Sequence, residues 1–246
     1  MRLTGVDGVV YGPSGQRLDA HRPDGARGEG LPVVLLWHGR GPDERGVLAP
    51  LARLAASAGV LVLVPDWRSD APDGGRAHLR ESVAFARERA AEWGGDPGQL
   101  VLAGWSLGAK AALGVGLAAE GLDGWHPRAV VGIAGGYTRP APSTGRAPMD
   151  ELDGAEAAGH ALPVWLVHGT ADEIVDVAHT RHLHAALSQR GWPVSLDAPD
   201  ADHAGVVLTE YDPGLGRCVP ARAERAVRAG ARTAGVLARA AGVAPR

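Results

Sequence analysis

Apolar residues along this chain fall into two patterns. Short runs with little polar interruption recur at Pro32–Trp37, Val60–Val64, Leu100–Ala103, Ala129–Ala134 and Pro163–Val167. Runs of this length that do not alternate suit strands buried on both faces, as in a parallel sheet. A shorter strand is predicted at Val194–Leu196. Between the runs, apolar positions recur at helical spacing. Arg45–Ala58 carries Val47, Leu48, Leu51, Leu54 and Ala55, and Arg76–Trp93 carries Leu79, Val83, Phe85, Ala86 and Ala90. Leu107–Ala119, His179–Arg190 and Ala221–Ala241 complete the helical set. Strands alternating with helices predict an α/β fold, with a mostly parallel central sheet and helices on both faces. The chain opens differently: "GVVYG" and "RLDAHRP" around "GPSG" predict an antiparallel hairpin. Residues 137–160 are the longest polar, Pro/Gly-rich interruption. They are expected to form a short cap-like insertion on a single domain spanning 1–246, with a plain surface loop as the other reading. A cap this small predicts an open site and soluble substrates.

Composition narrows the function classes. The 246 residues are 45% hydrophobic and 22% charged, with net charge −3. That balance offers no basic stripe for nucleic acid and no polybasic patch for a membrane. Lys110 is the only lysine among otherwise arginine cations. Cys218 is the only cysteine, which excludes an intrachain disulfide and a cysteine-based metal cluster. The apolar runs are too short to span a bilayer, and "MRLTGVDGVVYG" lacks the features of a signal peptide. The expectation is a soluble cytoplasmic protein with no nucleic-acid or membrane partner. The oligomeric state is left open.

Gly104-Trp105-Ser106-Leu107-Gly108 fits G-x-S-x-G. In a glycine-rich chain the pattern alone is weak. Its setting strengthens it, because it follows a predicted strand and opens a predicted helix, where the serine sits on a strained turn at a helix N-terminus. A serine hydroxyl needs a base to take its proton and a carboxylate to orient that base. "PVWLVHGTADEIVD" supplies Asp172 after a strand, and "DAPDADHAG" supplies His203 after the next. The order Ser106, Asp172, His203 is the one this fold class requires. Glu173 and Asp176 are the rival acids. An oxyanion hole needs two N–H donors. Leu107 offers one, and "WHGRG" offers Arg40, with Gly41 as its rival.

These residues resemble the α/β-hydrolase superfamily, and within it the serine carboxylesterases and dienelactone-hydrolase-like enzymes. The resemblance rests on "WHGRG", "VPDWR", "GGDPGQLVLAGWSLGA", "VHGTADEIV" and "DADH", spanning roughly Leu18 to His203. It implies Ser106 as nucleophile, Asp172 as orienting acid and His203 as general base and acid. It further implies cleavage of small-molecule carboxylic esters through an acyl-enzyme, without cofactor or metal. The chain departs from the pattern in reading HGRG where many such esterases have HGGG, and in carrying serine where dienelactone hydrolases proper have cysteine. Rival readings are a thioesterase, an amidase or formamidase, an acyltransferase or cyclase, and a non-catalytic binding module on the same fold.

Other residues carry lesser expectations. Trp37, Trp67 and Trp105 each stand by a predicted strand end and are candidates to line the substrate pocket, with burial in the core as the alternative. His38 is expected to hold its loop by a hydrogen bond, and His168 to pack beneath the acid turn. His179, His182 and His184 are read as an exposed helix face rather than a zinc site.

Overall fold

The computed structural model describes residues 3–24, 30–157 and 161–244. Residues 158–160 of the expected insertion lie outside that set. Strands β1 (Leu3–Tyr11), β2 (Gln16–Pro23), β3 (Leu31–Trp37), β4 (Leu61–Pro65), β5 (Gly95–Trp105), β6 (Ala129–Ile133), β7 (Val164–Val167) and β8 (Val194–Asp197) form one sheet. Its order is β1-β2-β4-β3-β5-β6-β7-β8. The pairings from β4 through β8 are all parallel, and β1 and β2 form an antiparallel hairpin whose β2 edge joins β4. This is the mostly parallel sheet that the uninterrupted apolar runs predict.

The helices cover both faces. Helices α2 (Arg76–Arg89), α3 (Leu107–Leu117), α4 (Pro148–Ala157) and α5 (Ala178–Gln189) contribute to one core layer, together with Val33, Leu35 and Trp37 of β3. Helices α1 (Ala49–Ser57) and α6 (Glu224–Ala240) pack on the other, against Val34 and Leu36 of the same strand. Successive residues of a strand point to opposite faces, so a strand with a helix layer on each side must be apolar at every position. Each fully buried Val or Leu contributes about 1.5–3 kcal/mol relative to exposure. Exposed ion pairs such as Arg228–Glu224 contribute about 0–1 kcal/mol. Burial therefore decides where the sheet lies.

Two expected helices are broken. Arg45–Leu48 is a 3-10 turn before α1, because Pro50 has no N–H and belongs in the first turn of an α-helix. Ala90–Trp93 is a 3-10 turn closing α2. Within 137–157, α4 packs on α3: Leu152 and Tyr137 are fully buried, and the Ser143 hydroxyl donates to the Ala111 carbonyl at 2.7 Å. One further element has no counterpart among the apolar runs. Strands β9 (Thr209–Asp212) and β10 (Arg217–Pro220) pair as a separate antiparallel hairpin after the β8 loops.

Candidate active site

The end of β5 and the start of α3 meet at Ser106. Its backbone has φ 58° and ψ −116°, a conformation that costs a non-glycine residue about 1–3 kcal/mol. The turn is locked by the Ser106 N–H, which donates to the Ile133 carbonyl of β6 at 2.8 Å. The flanking glycines are steric necessities. A Cβ on Gly104 would lie 2.1 Å from the Gly108 carbonyl oxygen, and one on Gly108 would lie 2.4 Å from the carbonyl oxygens of Trp37 and His38. Leu107 is the first residue of α3, so its N–H has no acceptor within the helix.

The loops after β7 and β8 bring Asp172 and His203 together. They are laced by hydrogen bonds from the Thr170 amide to the Pro199 carbonyl and from the Ala171 amide to the Ala201 carbonyl. His203 Nδ1 donates to Asp172 Oδ2 at 2.7 Å. The Asp172 side chain is fully shielded from solvent. Its Oδ1 accepts the Ile174 and Val175 amides at 2.9 Å each, and His168 Nε2 stands 3.2 Å from Oδ2. Burial alone would raise this carboxyl. The hydrogen bonds from His168, His203 and the Val175 amide outweigh it and hold the group well below the usual carboxylate range. Of the rival acids, Asp176 is occupied by the Ala178 amide at 2.8 Å, and Glu173 is exposed on the cleft wall.

His168 does more than pack beneath the turn. Its Nε2–H donates to the Val175 carbonyl at 2.8 Å as well as facing Asp172, while Nδ1 accepts the Thr180 hydroxyl at 2.6 Å. A carbonyl can only accept, which fixes the tautomer. The spacing of four residues between His168 and Asp172 was the available signal.

Ser106 and His203 open onto adjoining clefts that share Ile174 as a wall. Among the described residues no hydrogen bond joins the Ser106 hydroxyl to His203. The two are linked through Trp105, whose ring centroid lies 5.1 Å from that of His203 and whose Nε1 donates to the His203 carbonyl at 3.0 Å. The His203 cleft, about 490 Å³, has Trp105, Ile174 and Tyr211 among its apolar walls, and β9–β10 supplies Tyr211 and Cys218. "TEYDPGLGRCV" carries the sequence signal for that hairpin: a Pro-Gly turn between two β-prone stretches.

The expected pocket role of two tryptophans is corrected. Trp37 and Trp67 are fully buried in the α2/α3 core layer. Trp37 Nε1 donates to the Ser82 hydroxyl at 3.0 Å, and Trp67 Nε1 donates to the His38 carbonyl at 3.1 Å. Trp105 remains at the cleft. His38 holds the loop after β3 from inside. Its Nε2 accepts the Glu44 and Trp67 amides, so its Nδ1–H donates to the Gly39 carbonyl at 3.1 Å. Burial lowers this imidazole to a pKa of about 4 and keeps it neutral. Arg40 lines the Ser106 cleft with Leu107. Gly41 packs against Glu44: a Cβ at Gly41 would lie 2.0 Å from the Glu44 carboxyl carbon. Among the described residues, no three His, Cys, Asp or Glu side chains converge as a metal site, and His179 faces the Ser106 cleft. No described helix is long and apolar enough to cross a membrane.

No protein-family model matches the chain, and no curated protein matches it in sequence. In structure it is similar to many solved proteins. One, from Klebsiella pneumoniae, is provisionally assigned as a dienelactone hydrolase. It is 17% identical over 97% of this chain and 99% of that one, with a TM-score of 0.70. The S-formylglutathione hydrolase of Staphylococcus aureus is 15% identical over 96% of each chain, with a TM-score of 0.70. An esterase from Thermogutta terrifontis is 17% identical over 98% of this chain and 96% of that one, also with a TM-score of 0.70.

Proposed function

This chain has the α/β-hydrolase fold, and on that premise we propose that it is a serine hydrolase cleaving carboxylic esters of small molecules through an acyl-enzyme. The observation that carries the reading is the Asp172–His203 hydrogen bond of 2.7 Å, its carboxylate shielded from solvent, beside the strained Ser106 turn. His203 Nδ1 is committed to Asp172 as a donor, which leaves Nε2 free of its proton and able to act as base. Ser106 Oγ attacks the acyl carbon while His203 takes its proton. The negative charge on the carbonyl oxygen is held by the Leu107 amide and, on this reading, the Arg40 amide, since Arg40 and not Gly41 lines the Ser106 cleft. His203 returns the proton to the leaving alcohol. Water then attacks the acyl-enzyme by the reverse route and frees the acid.

A second reading keeps the same residues and changes the bond. One structural neighbour is an S-formylglutathione hydrolase, so a thioester is a substrate to be tried beside the matched ester. A fluorophosphonate probe tests the shared premise. It is expected to label the wild type at Ser106 and to leave Ser106→Ala unlabelled. A folded wild type that stays unlabelled would overturn the reading in favour of a binding role.

A further inference from the structure

The cleft that holds Ser106 has an unusual charge balance. Arg40, Lys110, Arg139 and His179 line its walls, about 230 Å³ of space, with Asp176 as the one carboxylate among its lining residues. That carboxylate is turned back to cap the start of α5 through the Ala178 amide. Elsewhere the chain pairs many of its cations: Arg45 with Asp19 and Asp66, Arg68 with Asp43 and Asp70, Arg232 with Asp197. Among the described residues Arg40, Lys110 and Arg139 have no carboxylate within ion-pair distance. Lys110 lies four residues after Ser106, one helical turn on, so both face the same cleft. It is half-buried, and the charges that act on it are those of Arg40 and Arg139, both repulsive. Burying part of a lysine beside two like charges is unfavourable until an anion enters.

We propose that this cleft is the subsite for an anionic acyl group, so that the substrates are esters whose acid part carries a second, negatively charged group, a carboxylate or a phosphate. The inference rests on Ser106 being the nucleophile. The assignment to the acyl side comes from the path of the proton. His203 must hand its proton to the oxygen of the leaving alcohol, so the alcohol lies in the His203 cleft, against Trp105, Ile174 and Tyr211. The acyl chain is left the other direction, along Lys110 and Arg139. The bonds made and broken are unchanged. The Ser106 Oγ–acyl bond forms, the bond from the acyl carbon to the alcohol oxygen breaks, and the serine proton leaves with the alcohol. The anion takes no part in the chemistry and serves to place the carbonyl.

Three 4-nitrophenyl esters test this: the half-ester of glutaric acid, its methyl-capped neutral analogue, and an ester of similar length ending in a phosphate. At low salt the kcat/KM of the better anionic ester is expected to exceed that of the neutral one by about tenfold or more, and the ratio to shrink in high salt as the charges are screened. Lys110→Met and Arg139→Met are each expected to cut the ratio at least about threefold. Whichever anionic ester turns over faster identifies the anion. A ratio near one, or a ratio that both substitutions leave intact, would overturn the subsite while ester hydrolysis stood. If no ester is turned over and a fluorophosphonate leaves Ser106 unlabelled, the hydrolase reading falls and the subsite falls with it. Labelling without turnover of either anionic ester overturns the subsite alone.

Discussion

Replacing Asp172 with asparagine exchanges one carboxylate oxygen for an NH2 group, and the neighbours of Asp172 decide which oxygen is lost. Asp172 Oδ1 accepts two backbone amides, while Oδ2 faces His203 Nδ1 and His168 Nε2. An asparagine can satisfy only one of those sides as an acceptor. With its oxygen toward the amides of Ile174 and Val175, its NH2 points at His203 Nδ1. That nitrogen must then accept, the proton moves to Nε2, and His203 can no longer take a proton from Ser106. With the amide flipped, His203 is correct but two backbone donors lose their acceptor, at about 1–3 kcal/mol each. The inactive arrangement is therefore favoured by about 2–6 kcal/mol, so the competent tautomer falls to between roughly one part in 30 and one part in 10⁴. Asp172→Asn is expected to lower kcat on a 4-nitrophenyl ester by about 30- to 10⁴-fold, less than His203→Ala. Burst titration with the same ester counts competent sites, and near-UV circular dichroism checks the fold. A folded Asp172→Asn protein with kcat within about threefold of wild type would refute the tautomer argument and return the acid role to Glu173 or Asp176.

Packing and charge give two further outcomes. In Gly104→Ala the new Cβ must move from 2.1 Å to an ordinary contact of 3.4 Å from the Gly108 carbonyl, so α3 must retreat from β5. A displacement of that size at Ser106 is expected to cost about 10²-fold in kcat and roughly 1–3 kcal/mol of stability, read from ester turnover and the Tm; an unchanged kcat would mean the turn is not under steric control. His38 is held neutral in the folded chain with a pKa of about 4, below its ordinary 6.5. Between those values the unfolded chain takes up a proton that the folded one does not, so stability is lost as the pH falls through that window, by on the order of 3 kcal/mol. Urea unfolding at several pH values is expected to show a flatter dependence for His38→Gln than for wild type, and identical slopes would remove His38 from the account.

Much of the site is legible in the sequence because its chemistry is local. The strand-turn-helix signature around Ser106 sits within one short stretch, and Asp172 and His203 each come after an apolar run that reads as a strand. The hydrogen bond from His168 to Asp172 is less visible, since a buried histidine near an acid reads equally as packing. The β9–β10 hairpin escapes the pattern because each strand is four residues long and neither carries an apolar run. The charge of the Ser106 cleft is hidden altogether. Arg40, Lys110 and Arg139 come from three separate segments, and nothing in their spacing says that they meet.

By itself the sequence determined most of the sheet strands, the helices between them, and the order in which Ser106, Asp172 and His203 come, because these depend on periodicity and on loops at strand ends, whereas α4 and the β9–β10 hairpin carry no such pattern. Only the tertiary structure decided which way the tryptophans face. Trp37 stands opposite Gly104 in the β3–β5 register, so Trp105, one residue on, points to the other side of the sheet. Trp37 enters the core with α2, and Trp105 meets His203. Both faces of these strands are apolar, so the residues carry no mark of side. The parity is set by the pairing of strands far apart in the chain.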